Sequence, residues 1–376
     1  MTQAPIVEEF LELVALNVGS RRERAMADVL KDKLAALGLI VEEDGVGALI
    51  GGEAGNLIAR LHGDPNYPPL LFSAHMDRVV NHGRICPRVE AERDIIVSDG
   101  TSILAADDVS GIVSILDGLR RVLADDRPHG EIEIVFSVAE EVGLLGARHL
   151  NYAEIKSKMA YVVDSIGPLG FIINQAPTQF NIFVTLHGRS AHAGLEPEKG
   201  LSAIRVAATA LTRLREGRLS LISTSNFGIV QAGVATNIVC DRCEIKGEAR
   251  STDPAEVAAY LEETRRIFED TAAEFGAVLD FKTSLEYKTF RVDESELVIK
   301  LAEEAMKNMG LSPIIASGGG GMDGNHFNQH GLTAIGLSPG YFNPHTPQER
   351  QSLSQLIRCG ALIAEIILSV GQFKNR

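Results

Sequence analysis

The sequence has 376 residues, 45% hydrophobic and 23% charged, which is enough for two or three domains with a sizeable core. Its 36 Lys and Arg against 50 Asp and Glu leave a formal charge of -14, which excludes the basic surface that a nucleic-acid or anionic-membrane binder needs. No apolar run approaches a membrane span, the acidic start MTQAPIVEEFLELV is no secretory signal, and Cys86, Cys240, Cys243 and Cys359 are too sparse for a disulfide framework; these features predict a cytoplasmic protein.

The apolar periodicity predicts helices over 5–17 and 21–37, the second closed by Gly38. Strands follow at 56–61 and 68–74, then a helix over 108–123. A strand over 131–138 is read with Ile132, Ile134, Phe136 and Val138 facing inward, followed by a short helical turn after Glu141 and a strand over 161–165. Strands interleaved with helices specify an α/β sheet. From 178 the pattern changes: Phe180, Ile182, Val184 and Leu186 alternate cleanly along one strand face. A helix over 201–216, strands over 227–234 and 238–250, a helix from Asp253-Pro254 to Phe275 closed by Gly276, and a last strand to 287 complete a β-α-β-β-α-β order. Cys240 and Cys243 lie in one of these strands, where positions three apart point to opposite faces, and are read as structural. After 288 the α/β character returns with a helix over 293–309 and further strand and loop segments. The predicted architecture is a catalytic α/β domain with a central mixed sheet (1–177 and 288–376), interrupted by a ferredoxin-like α+β domain (178–287).

Chemistry-bearing residues gather where strands end, and in open α/β sheets ligands bind beyond the carboxyl ends of the strands. In SAHMDRV, His75 and Asp77 share a face, a spacing that suits a metal-ligating imidazole and its orienting carboxylate, or a plain ion pair. In AADDVSG, one of Asp107 and Asp108 can cap the helix while the other projects away. In SVAEEVGLLGA, Glu140 and Glu141 follow an apolar strand and would repel each other unless a cation lies nearby. One can then ligate while the other acts as general base. Asp164 closes a short strand, and His345 sits in a loop between Pro344 and Pro347. Together His75, Asp107, Glu141, Asp164 and His345 supply five ligands. With Asp107 as a bridge, His75 and Asp164 complete one metal site, and Glu141 and His345 a second.

These stretches, with YVVDS, TLHGRSAHAG, GVATNIVCDRCEIKGEARS, SGGGGMDGNHFNQHG and PHT..E, resemble the zinc-dependent aminoacylase and carboxypeptidase-like metallopeptidases, and most closely their peptidase T (tripeptide aminopeptidase) branch. The resemblance runs in family order over almost the whole chain. It implies two Zn²⁺ per subunit (Co²⁺ or Mn²⁺ being accepted by the same ligands), a short-peptide substrate, and a homodimer formed through the inserted lid domain. Carried over by residue, it implies Glu140 as general base, Asp77 as the partner of His75, and His192 as an oxyanion donor reaching the partner subunit's site. Asn237 and Arg250 follow as substrate-binding residues. Two positions depart from the family form, Arg78 and Val109, and are expected to bear on substrate preference. The expected reaction is hydrolysis of the N-terminal amide bond of a short peptide. An N-acyl-amino-acid deacylase or a carboxypeptidase is the alternative within the family, and a non-catalytic peptide-binding relative the alternative outside it.

Overall fold

The computed structural model describes residues 4–16, 18–79 and 83–372, and its chain divides into two compact units, Met1–Ala176 with Arg291–Arg376, and Pro177–Phe290. In the first unit a mixed sheet runs in the order Ile40–Glu43, Leu57–Leu61, Ile132–Ser137, Leu70–His75, Met159–Val162, Thr333–Leu337, Phe171–Ala176, with Ile314–Ser317 beside the last of these. The four strands from Ile132–Ser137 to Thr333–Leu337 are mutually parallel, the Leu57–Leu61 strand is antiparallel to them, and Ile40–Glu43, antiparallel to Leu57–Leu61, runs in their direction again. Parallel strands must be crossed over by helices and so lie buried on both faces. Every residue of Ile132–Ser137 and Leu70–His75 is buried.

That burial corrects the one-faced reading of 131–138. Glu133, on the supposed outer face, is fully buried, and its carboxylate accepts from the backbone N–H of Lys156 and Ser157 and faces Arg60. The segment predicted over 161–165 forms its strand at Met159–Val162, so Asp164 lies just beyond the strand end. The first helix is Pro5–Val14, shorter than the predicted 5–17, and Asn17 lies outside the described residues. The long apolar helix Leu353–Ser369, capped by the Ser352 hydroxyl, was not anticipated; it packs on Ala106–Leu123 and Leu297–Asn308.

In the second unit an antiparallel sheet runs Gly217–Arg218, Ser223–Ala232, Arg242–Ser251, Thr178–His187, Val278–Tyr287. With helices Ala203–Arg213 and Pro254–Phe275 this is the β-α-β-β-α-β arrangement. The alternation along Thr178–His187 does its expected work: Ile182, Val184 and Leu186 are in the core with Val257, Phe268 and Ala272 of the longer helix. Gly276 ends that helix at φ +72°, a left-handed conformation that favours glycine. Cys243 belongs to the same core, but the strand predicted over 238–250 begins at Arg242, so Cys240 lies before it, where its thiol donates to the Arg242 carbonyl at 3.1 Å. Among the described residues, no helix is long and apolar enough to cross a membrane.

Candidate metal centre

Parallel strands bring His75, the Glu140–Glu141 pair and Asp164 to one edge of the sheet, because Leu70–His75 lies between Ile132–Ser137 and Met159–Val162 with all three running the same way. The helix Ala106–Leu123 packs onto Leu70–His75 and starts at the same edge. Gly111 makes that approach tight, since a Cβ there would lie 2.3 Å from the Val163 carbonyl oxygen. His345 arrives on a hairpin loop between Tyr341–Phe342 and Arg350–Ser352, an antiparallel pair in a second, smaller sheet.

The five predicted ligands converge. His75 Nε2 lies 3.0 Å from Asp107 Oδ1 and 3.9 Å from Asp164 Oδ1. His345 Nε2 lies 3.2 Å from Asp107 Oδ2 and 3.0 Å from Glu141 Oε1. Each oxygen of Asp107 therefore faces a different histidine. Donors bound to a tetrahedral zinc at about 2.0–2.1 Å sit about 3.3 Å apart, and among the described residues two groups of donors lie close enough together to hold an ion: His75, Asp107 and Glu141, and His75, Asp108 and Asp164. The imidazole of His75 makes the same point. Its Nδ1 lies 2.9 Å from the Asp77 carbonyl, which can only accept, so Nδ1 carries the proton and a neutral ring aims the bare Nε2 lone pair at two carboxylates. Only a proton or a cation relieves that arrangement.

Charge and burial act against each other throughout the cluster. Burial pushes the Asp108, Glu140 and Asp164 carboxyls well up, with neighbouring carboxylates adding to it. Burial opposes the charge of His75, and Asp107 and Asp77 overcome it, so its pKa is raised. His345, bonded to Asp107 and Glu141, is raised to about 10. Burial also raises Glu141 despite its bond to His345, whereas the two histidines hold Asp107 low against its burial. Positive charge, from protonated histidines or from a bound cation, stabilises a cluster of this kind.

The neighbouring residues sort themselves by what they bond. Asp108 accepts from the His75 N–H at 3.2 Å and the Gly111 N–H at 3.1 Å, capping the helix and leaving Asp107 to project. The carboxylate of Asp77 lies 3.5 Å from His75 Nδ1, farther than its own main-chain carbonyl. It instead accepts from the N–H of Glu140 at 2.9 Å and of Glu141 at 3.3 Å, and from the Ser20 hydroxyl at 2.6 Å. The Tyr341 hydroxyl donates to Asp164 Oδ1 at 2.9 Å. Arg78 is buried, and its guanidinium donates to the carbonyls of Val18, Val14 and Leu16 at and just beyond the end of the first helix. Burial brings it down to about 10, so it remains cationic at neutral pH. Val109 is buried in its helix.

Sequence reasoning gave no role to two buried carboxylates. Glu349 accepts from the N–H groups of Leu104, Ala105 and Asp107, and Glu23 from those of Arg21 and Ala139. Burial pushes each up to about 7. Glu349 stood in the PHT..E stretch; Glu23 lies in a charged run, SRRER, that gives no signal.

In the second unit His192 and Asn237 are exposed and adjacent. His192 bridges to Ile238, and the Asn237 carbonyl accepts from Ala193 N–H at 2.9 Å. Arg250, half-buried on Arg242–Ser251, is engaged by both carboxylate oxygens of Glu248 at 2.9 and 3.0 Å.

Comparison with known proteins adds to this geometry. Residues 179–276 match the dimerisation domain of the M20 peptidases, described as "Peptidase dimerisation domain", and residues 56–178 match "Peptidase family M28". The YqjE protein of Bacillus subtilis (strain 168) is 35% identical over 362 residues, covering 96% of this chain and 97% of its own. The structure of aminopeptidase PepT from Bacillus cereus ATCC 10987 aligns with a TM-score of 0.85 at 37% identity, over 98% of this chain and 99% of that one. A tripeptidase from Staphylococcus aureus aligns with a TM-score of 0.90 at 35% identity, over 98% of each chain.

Proposed function

Starting from the fact that the chain belongs to the M20 family of peptidases and is a Peptidase T-like hydrolase, we propose that it removes the N-terminal residue of short peptides, tripeptides foremost, in the cytoplasm. The observation that carries this reading is Asp107, with its two oxygens turned to two histidines. His75, Asp164 and Asp107 would hold one divalent cation and Glu141, His345 and Asp107 a second, zinc in the first instance. Two such cations would polarise the scissile carbonyl and make water acidic enough to attack at neutral pH.

The remaining chemistry belongs to side chains of this chain. Glu140 is buried beside the cluster, where burial raises its proton affinity toward that of a useful base. Its carboxylate takes a proton from the attacking water and delivers it to the leaving amine, so the amide bond breaks as a free amino group forms. Asp77 holds the backbone of Glu140 and Glu141 and so sets where both carboxylates stand. His192, exposed in the dimerisation domain, would donate to the developing oxyanion in a partner subunit of a homodimer. Asn237 and the planar fork of Arg250 would bind the peptide, Arg250 exchanging Glu248 for the terminal carboxylate. The test is Glu140→Ala assayed on a free tripeptide with metal content measured in parallel. The expected result is a large loss of turnover with metal retained, and near-normal turnover would remove Glu140 as the base.

A further inference from the structure

Two loops of the metal centre adopt the same unusual backbone. Ala139, just before Glu140, has φ +52°, and Ala105, two residues before Asp107, has φ +61°. Non-glycine residues in the left-handed region persist where the surroundings over-determine them. Here each alanine has its N–H held by a buried glutamate: Ala139 by Glu23 Oε1 at 3.0 Å, and Ala105 by Glu349 Oε2 at 2.9 Å. Glu23 is 0% and Glu349 1% exposed. Buried carboxylates cost free energy, and neither of these touches a site where it could act on substrate directly.

The bonds run on from each alanine into the reacting groups. Glu23 and Asp77 between them hold the N–H groups of three successive residues, Ala139, Glu140 and Glu141. Glu349 Oε1 accepts from Asp107 N–H at 3.0 Å while its other oxygen holds Leu104 and Ala105. The segment carrying Glu23 is itself fixed by Arg78, whose guanidinium satisfies the carbonyls of Val14, Leu16 and Val18 at and just beyond the end of the first helix. The same segment supplies Ser20, which donates to Asp77.

We propose that Glu23 and Glu349 are positioning residues: Glu23, latched by Arg78, aims the Glu140–Glu141 pair, and Glu349 aims Asp107. The inference rests on the roles given above to Glu140 and Asp107. It separates the two glutamates by what they should control. Glu23 governs the base, and so turnover; Glu349 governs the bridging ligand, and so metal retention.

The test compares Glu23→Ala, Glu349→Ala and the matching glutamine variants, with a free tripeptide as substrate and zinc set by a buffered series. At saturating zinc, Glu23→Ala should lose on the order of 10- to 100-fold in kcat with KM within about twofold. Glu349→Ala should bind zinc on the order of 10- to 100-fold more weakly, read by competition with a chromophoric chelator. Glutamine keeps one accepting oxygen, which suffices for Glu23, whose Oε1 takes both N–H groups, so Glu23→Gln should restore most of the loss; Glu349 accepts through both oxygens, so Glu349→Gln should restore only part of it. If Glu23→Ala fails to fold, Ser20→Ala reads the same brace through Asp77, with kcat lower by about three- to tenfold; if Glu349→Ala fails, the zinc affinity of Glu349→Gln, weakened by the loss of one accepting oxygen, reads the other. A folded Glu23→Ala with wild-type kcat, or a Glu349→Ala with wild-type zinc affinity, overturns the role of that residue. Such a result alongside an inactive Glu140→Ala leaves the proposed function standing, whereas an active Glu140→Ala brings down the proposed function itself.

Discussion

In the unit formed by residues 1–176 and 291–376, the polar site residues are turned toward one another: His75 and Glu140 are buried, Asp107, Glu141 and Asp164 are partly buried, and His345 closes the group from an exposed loop. In the unit 177–290 they are exposed or already paired: His192 and Asn237 face solvent and Arg250 holds Glu248. The first arrangement gathers carboxylates round two histidines and could hold a cation. The second lies open at His192 and Asn237 and is paired at Arg250. The difference separates what the chain builds by folding from what it completes on binding.

Substitutions in the two units should therefore fail differently. Glu140→Ala should lower kcat by about 10²- to 10⁴-fold, the range for a lost general base, while metal content stays near wild type. Loss of metal together with activity would move Glu140 into the ligand set. In the other unit, His192→Ala should cost about 10²-fold in kcat with no change in metal affinity; an unchanged kcat would remove it from the oxyanion. Arg250→Met should act mainly on KM, raising it for free tripeptides by about tenfold, as expected for one lost charge-assisted contact. Equal losses on substrates with and without a terminal carboxylate would contradict that role.

The smallest expected effect is on stability. His345 is raised to about 10 by Asp107 and Glu141, so in metal-free protein it binds a proton more tightly folded than unfolded. Its contribution is full below its unfolded pKa of about 6.5 and is lost as pH rises toward 10. Metal-free wild type should therefore lose Tm relative to His345→Gln across that window. A constant Tm difference over the same range would show that the pair confers no stability.

Much of this was legible in advance, and for physical reasons. Strand periodicity and glycine stops located the helix ending at Gly276 and the Ile182–Val184–Leu186 face, because local pattern and burial agree there. The candidate ligands His75, Glu141 and Asp164 were visible because titratable side chains at the ends of apolar strands face the place where such sheets bind ligands. The role of Asp77 was only half visible: its spacing from His75 was clear, but its bonds to the Glu140 and Glu141 N–H groups depend on parallel strand pairing. Glu23 and Arg78 were hidden because charged side chains in charged stretches read as surface, and both are buried by contacts distant in sequence. The helix Leu353–Ser369 could have been found from its apolar run.

The central claim is that the buried cluster works only with metal, and it is met most directly by stripping the protein of metal and titrating zinc back while following cleavage of a free tripeptide. The account predicts no turnover in the stripped enzyme and recovery that is complete at two equivalents per subunit, with the N-terminal residue as product and an N-acylated tripeptide left intact. Full-rate hydrolysis by the stripped enzyme would contradict it.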